Sequence, residues 1–309
     1  MQFLITAIVG VILLVGVAAS CPSVCSCTSD SNGVHVNCSS RGLHSIPGNL
    51  STNTYVLDLH QNKITSIKSD TFNNLAKLKV LYLHQNKIAS IKSDTFNNLT
   101  NLYRLDLDNN DISVIEDNNF NNLPNLEHLY LHENRITSIK SNTFNNLSNL
   151  NRLDLDHNYI SVIEDNNFNH LPKLEILYLH NNTITSIKSD TFSNLTNLKK
   201  LWLRSNPISV VEENAFNTLP NLKELKFDMY CASCDNIPFW RWLTKRRTFT
   251  TYIYCNDFHG KKLSSLRNFN DDCTGNDGNG SVWCSRQGDW KWLVYMFFMI
   301  SFRYIMSNI

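Results

Sequence analysis

One spacing constrains this chain more than any other feature: a leucine returns every 24 residues along most of its length. Each of the first seven copies begins with Leu-x-Leu-x-x-Asn, and a phenylalanine follows ten residues after that asparagine. Seven matches in one register indicate an array of equivalent structural units. The leading leucines are Leu57, Leu81, Leu105, Leu129, Leu153, Leu177, Leu201 and Leu225.

The alternation within each repeat predicts a short strand whose leucines point inward and whose intervening residues point outward. Equivalent strands would stack in parallel about 4.8 Å apart. The asparagine amide can bond backbone groups at the strand end that would otherwise be buried without partners. Apolar residues behind the strand, such as Ile64 and Phe72, would fill the interior. We therefore predict a curved solenoid with a parallel β-sheet on its concave face.

Nine cysteines lie at the two ends of the array. A single repeat cannot bury its apolar side, so a solenoid needs a lid at each end. Four cysteines allow three pairings, and the sequence alone does not choose among them. A zinc site is the alternative interpretation of the second cluster, but it conflicts with an oxidising compartment. The first cluster is Cys21, Cys25, Cys27 and Cys38, and the second is Cys231, Cys234, Cys255 and Cys273.

The amino terminus predicts export. Residues 3–17 are apolar, and Ala18-Ala19-Ser20 supplies the small residues that suit signal-peptidase cleavage. An N-terminal membrane anchor is the alternative. Asn-x-Ser/Thr sequences are usable only on the secretory route. They occur at Asn37, Asn181 and Asn279 and at the four acceptors that we predict to be glycosylated, Asn49, Asn98, Asn146 and Asn194.

The carboxyl terminus offers three interpretations. A Gly/Asn/Asp-rich linker begins at Thr274, and a largely apolar run from Trp292 to Met306 is interrupted by Arg303. This arrangement favours a glycolipid-anchor signal, with a short membrane helix or an aberrant terminus as alternatives. The odd cysteine, Cys284, is predicted to be removed with that signal or to link two chains by a disulfide.

These features divide the chain into five predicted parts. They are a signal peptide (1–20), an N-terminal cap (21–50), about eight repeats (51–227), a C-terminal cap (228–273), and a linker with a hydrophobic tail (274–309).

The chain resembles the extracellular leucine-rich-repeat family with cysteine-rich caps. The resemblance rests on the 24-residue repeat and on the Cys-Pro-x-x-Cys-x-Cys opening at Cys21, and it covers roughly residues 1–273. The family includes Slit proteins, Toll-type receptor ectodomains and the variable lymphocyte receptors of jawless vertebrates, the last being most similar in architecture. The resemblance implies an α/β leucine-rich-repeat solenoid of horseshoe shape. It also implies the pairings Cys21–Cys27, Cys25–Cys38, Cys231–Cys255 and Cys234–Cys273.

Outward positions follow a second period of 48 residues, so two kinds of repeat alternate. Between the strand leucines, Asp alternates with Tyr and ends in Trp; the flanking positions carry His, Asp, Arg and Lys. Aromatic residues and Arg contribute most of the binding energy at interfaces. Cross-strand pairing that only stabilises stacking is the alternative. The predicted binding residues are Tyr82, Arg104, Asp106, Tyr130, His132, Arg152, Asp154, Tyr178, His180, Trp202 and Arg204.

Other chemistry is not indicated. With 28 basic and 27 acidic residues, the chain has no charge excess that would attract nucleic acid. It shows no nucleophile motif or phosphate loop, so we predict neither an enzyme nor a cofactor. Adjacent His60 and His84 could share a zinc ion but lack an evident third ligand, so no metal site is predicted. Beside Asp108 and Asp156, His132 is expected to favour its charged form, as are His84 and His180.

The sequence thus predicts an extracellular, secreted or cell-surface recognition protein. Its ligand, a protein or a glycan, would bind the concave face and the C-terminal cap. An immune receptor of the antigen-recognition type fits this description. An adhesion, guidance or matrix-interaction protein of the Slit-like class is the alternative.

Overall fold

The computed structural model of the chain describes residues 21–140, 142–163, 167–212, 214–229, 250–255 and 261–262. These residues form strands and turns, and no α-helix is found among them. The long strands are β1 (Ser26–Asp30), β2 (Gly33–Asn37), β3 (Thr54–Asp58), β4 (Val80–Tyr82), β6 (Arg104–Asp106), β8 (His128–Tyr130), β10 (Arg152–Asp154), β12 (Ile176–Tyr178), β14 (Lys200–Trp202), β16 (Glu224–Met229) and β17 (Thr250–Cys255), with the short β18 (Lys261–Lys262). The remaining two-residue strands are β5 (Ser90–Ile91), β7 (Val114–Ile115), β9 (Ser138–Ile139), β11 (Val162–Ile163), β13 (Ser186–Ile187) and β15 (Val210–Val211).

The twelve strands of the first group form one sheet in chain order. Pairing is parallel from β2 to β17, and an antiparallel strand closes each end. Successive repeats pair in strict register, so Leu57 lies beside Leu81 and Leu81 beside Leu105. The predicted solenoid of parallel strands is therefore confirmed.

The interior repeats every 24 residues. The strand leucines are fully buried, and one phenylalanine per repeat lies behind them, from Phe72 to Phe216. Neighbouring rings of this column stack nearly parallel, with centroids 5.9–6.2 Å apart. Each repeat thus covers the apolar side of the next, as a solenoid requires.

The repeated asparagine satisfies backbone groups in the way the sequence predicts. In Asn134, Nδ2 donates to the carbonyls of Leu107 and Leu131 at 3.0 and 3.1 Å, and Oδ1 accepts from the Ile112 amide at 3.0 Å. Equivalent asparagines make the same bonds in the other repeats. These bonds link each repeat to the preceding one and leave no strand end unpaired at these positions.

The far side of each repeat is built from turns. Its backbone amides bond carbonyls three residues back, for example Asn73 to Asp70 and Leu75 to Phe72. The helical component implied by the resemblance to α/β members is thus missing from the described residues. The physical reason lies in composition, because the segment is rich in Asn and Asp, which favour turns over helices.

The N-terminal cap is a β-hairpin stapled by two disulfides, Cys21–Cys27 and Cys25–Cys38. These are the two pairings that the resemblance implies for the first cysteine cluster. Gly33 has φ 144° and approaches the carbonyl of Asn53 so closely that a Cβ would lie 2.5 Å from its oxygen. The pairings predicted for Cys231, Cys234 and Cys273 lie outside the described residues, as do the signal peptide, Cys284 and the tail.

Candidate binding face

The outward side chains of β3 to β16 form a continuous surface, which we call the open face. Parallel register places equivalent positions side by side, so Tyr82 lies between Asp58 and Asp106, and Tyr130 lies between Asp106 and Asp154. The column in which aspartate alternates with tyrosine, predicted from the sequence, is therefore present. Val56, Arg104 and Arg152 occupy the neighbouring outward column, two residues earlier in each strand.

Two arginines alternate with the tyrosines. The guanidinium carbon of Arg104 lies 5.4 Å from the ring centroid of Tyr82 and 4.6 Å from that of Tyr130. Arg152 lies 5.3 Å from Tyr130 and 5.1 Å from Tyr178. All four distances are in the range of cation–π attraction. The result is an ordered ladder of alternating rings and cations across the centre of the sheet.

The same arginines hold the aspartates beneath the ladder. Arg104 donates from Nε and Nη2 to the two carboxylate oxygens of Asp106 at 2.9 and 2.8 Å, and this hydrogen bonding raises the pKa of Arg104. Arg152 binds Asp154 in the same way. Burial raises the pKa of Asp154 although the bond with Arg152 opposes that shift. Only 4% of Asp106 and 3% of Asp154 is exposed, so these two predicted site residues support the ladder from below.

The ladder continues toward the C-terminal end through Trp202. Its ring stacks on Tyr178 with centroids 4.3 Å apart, and the Nζ of Lys226 lies 3.5 Å from its ring centroid. Trp202 Nε1 also donates to Glu224 Oε1 at 3.1 Å. Arg204 forms an ion pair with Asp228 at 3.1 Å. The aromatic residues predicted to bind a ligand are thus partly exposed and already fixed by neighbours.

Histidines and aspartates line the next column. The rings of His60 and His84 stack with centroids 4.7 Å apart. Nε2 of His132 lies 3.5 Å from Asp108, and Nε2 of His180 lies 3.5 Å from Asp156. The predicted proximity of imidazole and carboxylate is therefore present.

The expected charge state is wrong for His180. Burial lowers the pKa of His180, outweighing the opposite effect of Asp156. Burial also lowers the pKa of His128, which lies in the column of Arg104 and Arg152, and raises that of Asp108. Desolvation exceeds pairing at these positions because the rings lie against the sheet, and Nδ1 of both histidines is buried without a hydrogen-bond partner.

One cluster was missed by the sequence analysis. Asp156, His157 and His180 bring three ligand-type atoms within 4.8 Å of one another. Two similar groups combine this column with an aspartate of the tyrosine column: His84 with Asp106 and Asp108, and His132 with Asp154 and Asp156. A signal was available, since His157 and Asn181 depart from the 48-residue pattern that places Asn109 and Glu133 at the equivalent positions.

The predicted glycosylation acceptors lie away from the open face. Asn98, Asn146 and Asn194 occupy the turns behind the sheet and are exposed, as is Asn49 in the N-terminal cap. Asn181 differs, because it is half-buried at the open face and its Nδ2 donates to His157 Nε2 at 2.9 Å. None of the described residues form an apolar helix long enough to span a membrane.

Comparison with known proteins finds one family profile and several relatives that match the repeats. The profile of the leucine rich repeat family matches five overlapping segments that together span residues 52–228. Leucine-rich repeat-containing protein 3 of Rattus norvegicus is 41% identical over 61 residues, which are 20% of this chain and 24% of the relative. Leucine-rich repeat-containing G-protein coupled receptor 5A of Xenopus laevis is 46% identical over 56 residues, 18% of this chain and 6% of the relative.

A solved structure shares the architecture over a longer stretch. The crystal structure of a TLR13–ssRNA13 complex aligns with a TM-score of 0.55 and 34% identity, covering 57% of this chain and 25% of that chain. The chain thus spans a quarter or less of each of these proteins. Their names describe repeat-containing proteins and receptors rather than enzymes. Since the family profile matches more than half of the 309 residues, this chain belongs to the leucine-rich repeat family.

Proposed function

We propose that the chain is an extracellular or cell-surface recognition protein that binds a protein or glycan ligand on the open face. The observation that carries this proposal is the ladder from Tyr82 to Trp202, in which every ring is held by a neighbour while one edge stays accessible. Side chains fixed before binding lose little conformational entropy when a ligand contacts them.

The composition of the face favours polar ligands with apolar patches. Aromatic rings stack on sugar rings or apolar side chains, and the partly exposed edges of Arg104 and Arg152 can donate to carbonyl or carboxylate groups. Since Asp106 and Asp154 are covered, the contact surface consists of the rings, the arginine edges, His132, His180 and Arg204.

Nucleic acid is the less favoured ligand. The related solved structure is named as a complex with single-stranded RNA, but that partner belongs to the related protein. Here the two central arginines are each paired with an aspartate, and the chain carries a net charge of only +1. Because the arginines of this face are already neutralised by aspartates, the face should attract the phosphate groups of a nucleic acid only weakly.

The proposed biological setting rests on the disulfides of the N-terminal cap and on the predicted linker and hydrophobic tail (274–309). Disulfides in the N-terminal cap support an oxidising compartment. The proposed setting is the cell surface or the extracellular space, with a glycolipid anchor or intermolecular pairing through Cys284 as proposed modes of attachment and assembly. An immune receptor of the variable lymphocyte receptor type is the first proposed class, and a Slit-like adhesion or guidance protein is the second.

The test uses the secreted full chain on an array of glycans and extracellular proteins, with a single-stranded RNA oligonucleotide included. For any binder found, Tyr178→Ala and Trp202→Ala should weaken binding by about 2 kcal/mol each. Both variants also remove ladder contacts, so their thermal midpoints are measured beside their affinities. The control is Lys92→Glu, on the exposed flank outside the open face, with an expected effect near zero. Unchanged affinity with lowered midpoints would show that the column only stabilises stacking.

A further inference from the structure

The histidines and aspartates of the open face include a group of three, of which the proposed ligand surface uses only His180. Asp156 follows the second leucine of its strand, His157 is the next residue, and His180 lies one repeat further along. His157 Nδ1 donates to Asp156 Oδ2 at 2.8 Å, and His180 Nε2 lies 3.5 Å from the same oxygen. Two imidazoles therefore converge on one carboxylate.

We propose that Asp156, His157 and His180 form a binding site for a zinc-class divalent ion. Zinc takes imidazole nitrogens and carboxylate oxygens at about 2.0–2.1 Å in tetrahedral geometry, which separates neighbouring ligand atoms by about 3.3 Å. The two distances in this cluster, 2.8 and 3.5 Å, bracket that value. Two nitrogens and one oxygen leave the fourth position for water or a ligand group. Nitrogen ligands favour zinc and its neighbours over calcium and magnesium, which prefer oxygen.

Surrounding groups suit a bound cation. To ligate through Nδ1, His157 must hold its proton on Nε2, and that atom already faces the side-chain amide of Asn181 at 2.9 Å. With the amide turned to present Oδ1, Asn181 would accept this proton and orient the ring. His157 is 49% exposed, which gives an ion a path from solvent. The nearby cations Lys226 and Arg204 are each paired with an acidic residue.

The other two groups of histidine and aspartate are poorer sites. Each depends on Asp106 or Asp154, whose two oxygens are both bonded by an arginine. Replacing those bonds by a metal would separate a buried ion pair and place a second cation beside the guanidinium. Within the part of the chain that the structure describes, no arginine is bonded to Asp156.

The repeat also provides an internal comparison. One 48-residue unit earlier, His132 lies 3.5 Å from Asp108, the same separation as His180 from Asp156. The residue after Asp108 is Asn109, whose amide binds Glu133. The earlier unit therefore reproduces the Asp–His pair but lacks the second imidazole. It also shows that the fold accepts asparagine at the position of His157.

The experiment titrates the full secreted chain, freed of metal by dialysis against a chelator, with zinc in competition with a chromophoric chelator. The parent should bind one equivalent of zinc. His157→Asn should weaken the affinity for zinc on the order of 100-fold, because losing a ligand should cost at least as much as losing a residue that supports a ligand. Asp108→Asn is the matched control and should retain the parent affinity. Asn109→His completes the earlier unit and should add one equivalent. Cobalt loading gives a second readout, because its visible absorption reports tetrahedral nitrogen and oxygen ligation.

Folding is checked by the metal-free thermal midpoint, which should be similar in all four proteins. The zinc measurement needs no ligand for the open face, so its failure and the failure of the recognition role are separate results. A parent that binds no zinc, or zinc that His157→Asn retains at full affinity, would overturn the assignment. Unchanged stoichiometry in Asn109→His would contradict the claim that these three residues suffice.

Discussion

The buried side and the open face of the solenoid are built from the same repeats but follow different periods. Behind the sheet, every repeat contributes one phenylalanine at nearly the same spacing, and the strand leucines are fully buried. On the open face, tyrosine alternates with aspartate and arginine with histidine or an aliphatic residue, so the pattern returns only after 48 residues. Close packing penalises any change of volume in the interior. On the open face a side chain has to fit only the side chains beside it, and on this face the repeats have diverged.

The largest effect that distinguishes the two sides is expected in the interior. Phe144→Ala removes one ring from a stack whose neighbours lie 6.2 Å away on each side, and it should lower the free energy of unfolding by about 3–5 kcal/mol. Denaturant titration followed by circular dichroism measures the change. Tyr159→Ala is the matched control: its side chain is 59% exposed, and the expected change is within about 0.5 kcal/mol. Equal losses in both variants would show that interior and surface rings stabilise the solenoid alike.

A smaller effect is expected on the open face. Arg152→Ala removes two cation–π contacts and leaves the buried Asp154 carboxylate without its partner. We expect a loss of about 2 kcal/mol in the free energy of unfolding. The control is Arg135→Ala, because Arg135 pairs with Asp111 but is 66% exposed and should contribute less than about 1 kcal/mol. Should Arg152→Ala prove no worse than the control, the ladder does not stabilise the sheet.

Much of this architecture follows from the sequence because the interior obeys one rule. Leu57, Asn62 and Phe72 recur at fixed offsets, and each offset has one physical solution: a strand, a closing amide and a stacked ring. The outward columns are equally predictable, since the register of parallel strands follows from the repeat.

The bonds made on the open face are less predictable. Alternation shows that Arg104 and Asp106 both face outward, but not that the arginine would bind the aspartate and cover it. The charge state of His180 depends on the balance between burial and a carboxylate 3.5 Å away. The spacing of residues in the sequence does not show which of these two effects on the pKa is larger. The cluster at His157 was not predicted, because a repeat pattern identifies the residues that recur and His157 departs from that pattern.

The smallest effect concerns pH. Burial lowers the pKa of His128 and His180 below the ordinary value of 6.5, so between the folded and unfolded values the unfolded chain binds more protons. The stability that depends on neutral His128 and His180 is therefore complete above pH 6.5. It declines as the pH falls through the lowered pKa values of the folded chain. In the metal-free chain, the free energy of unfolding should be lower at pH 5.5 than at pH 7.5.

The raised pKa values of Asp108 and Asp154 act in the opposite sense at lower pH, so the decline is expected to be shallow. His128→Gln should flatten it. Titration of the histidine ring protons by NMR identifies the groups involved. Rings of His128 and His180 that titrate above 6.5 would mean that nearby carboxylates, not burial, set the pKa values of these two histidines.

Whether a ligand occupies the open face is tested most directly by attaching a glycan there. Tyr130→Asn combined with His132→Thr places an Asn-Leu-Thr acceptor at the centre of the sheet, while Tyr130→Asn with His132→Ala makes nearly the same change without an acceptor. Both proteins are secreted and compared with the parent for binding to a partner identified on the array. We expect the glycosylated variant to lose all binding, while its unglycosylated counterpart retains a weakened interaction. Equal binding by the two variants would contradict a ligand site on the open face.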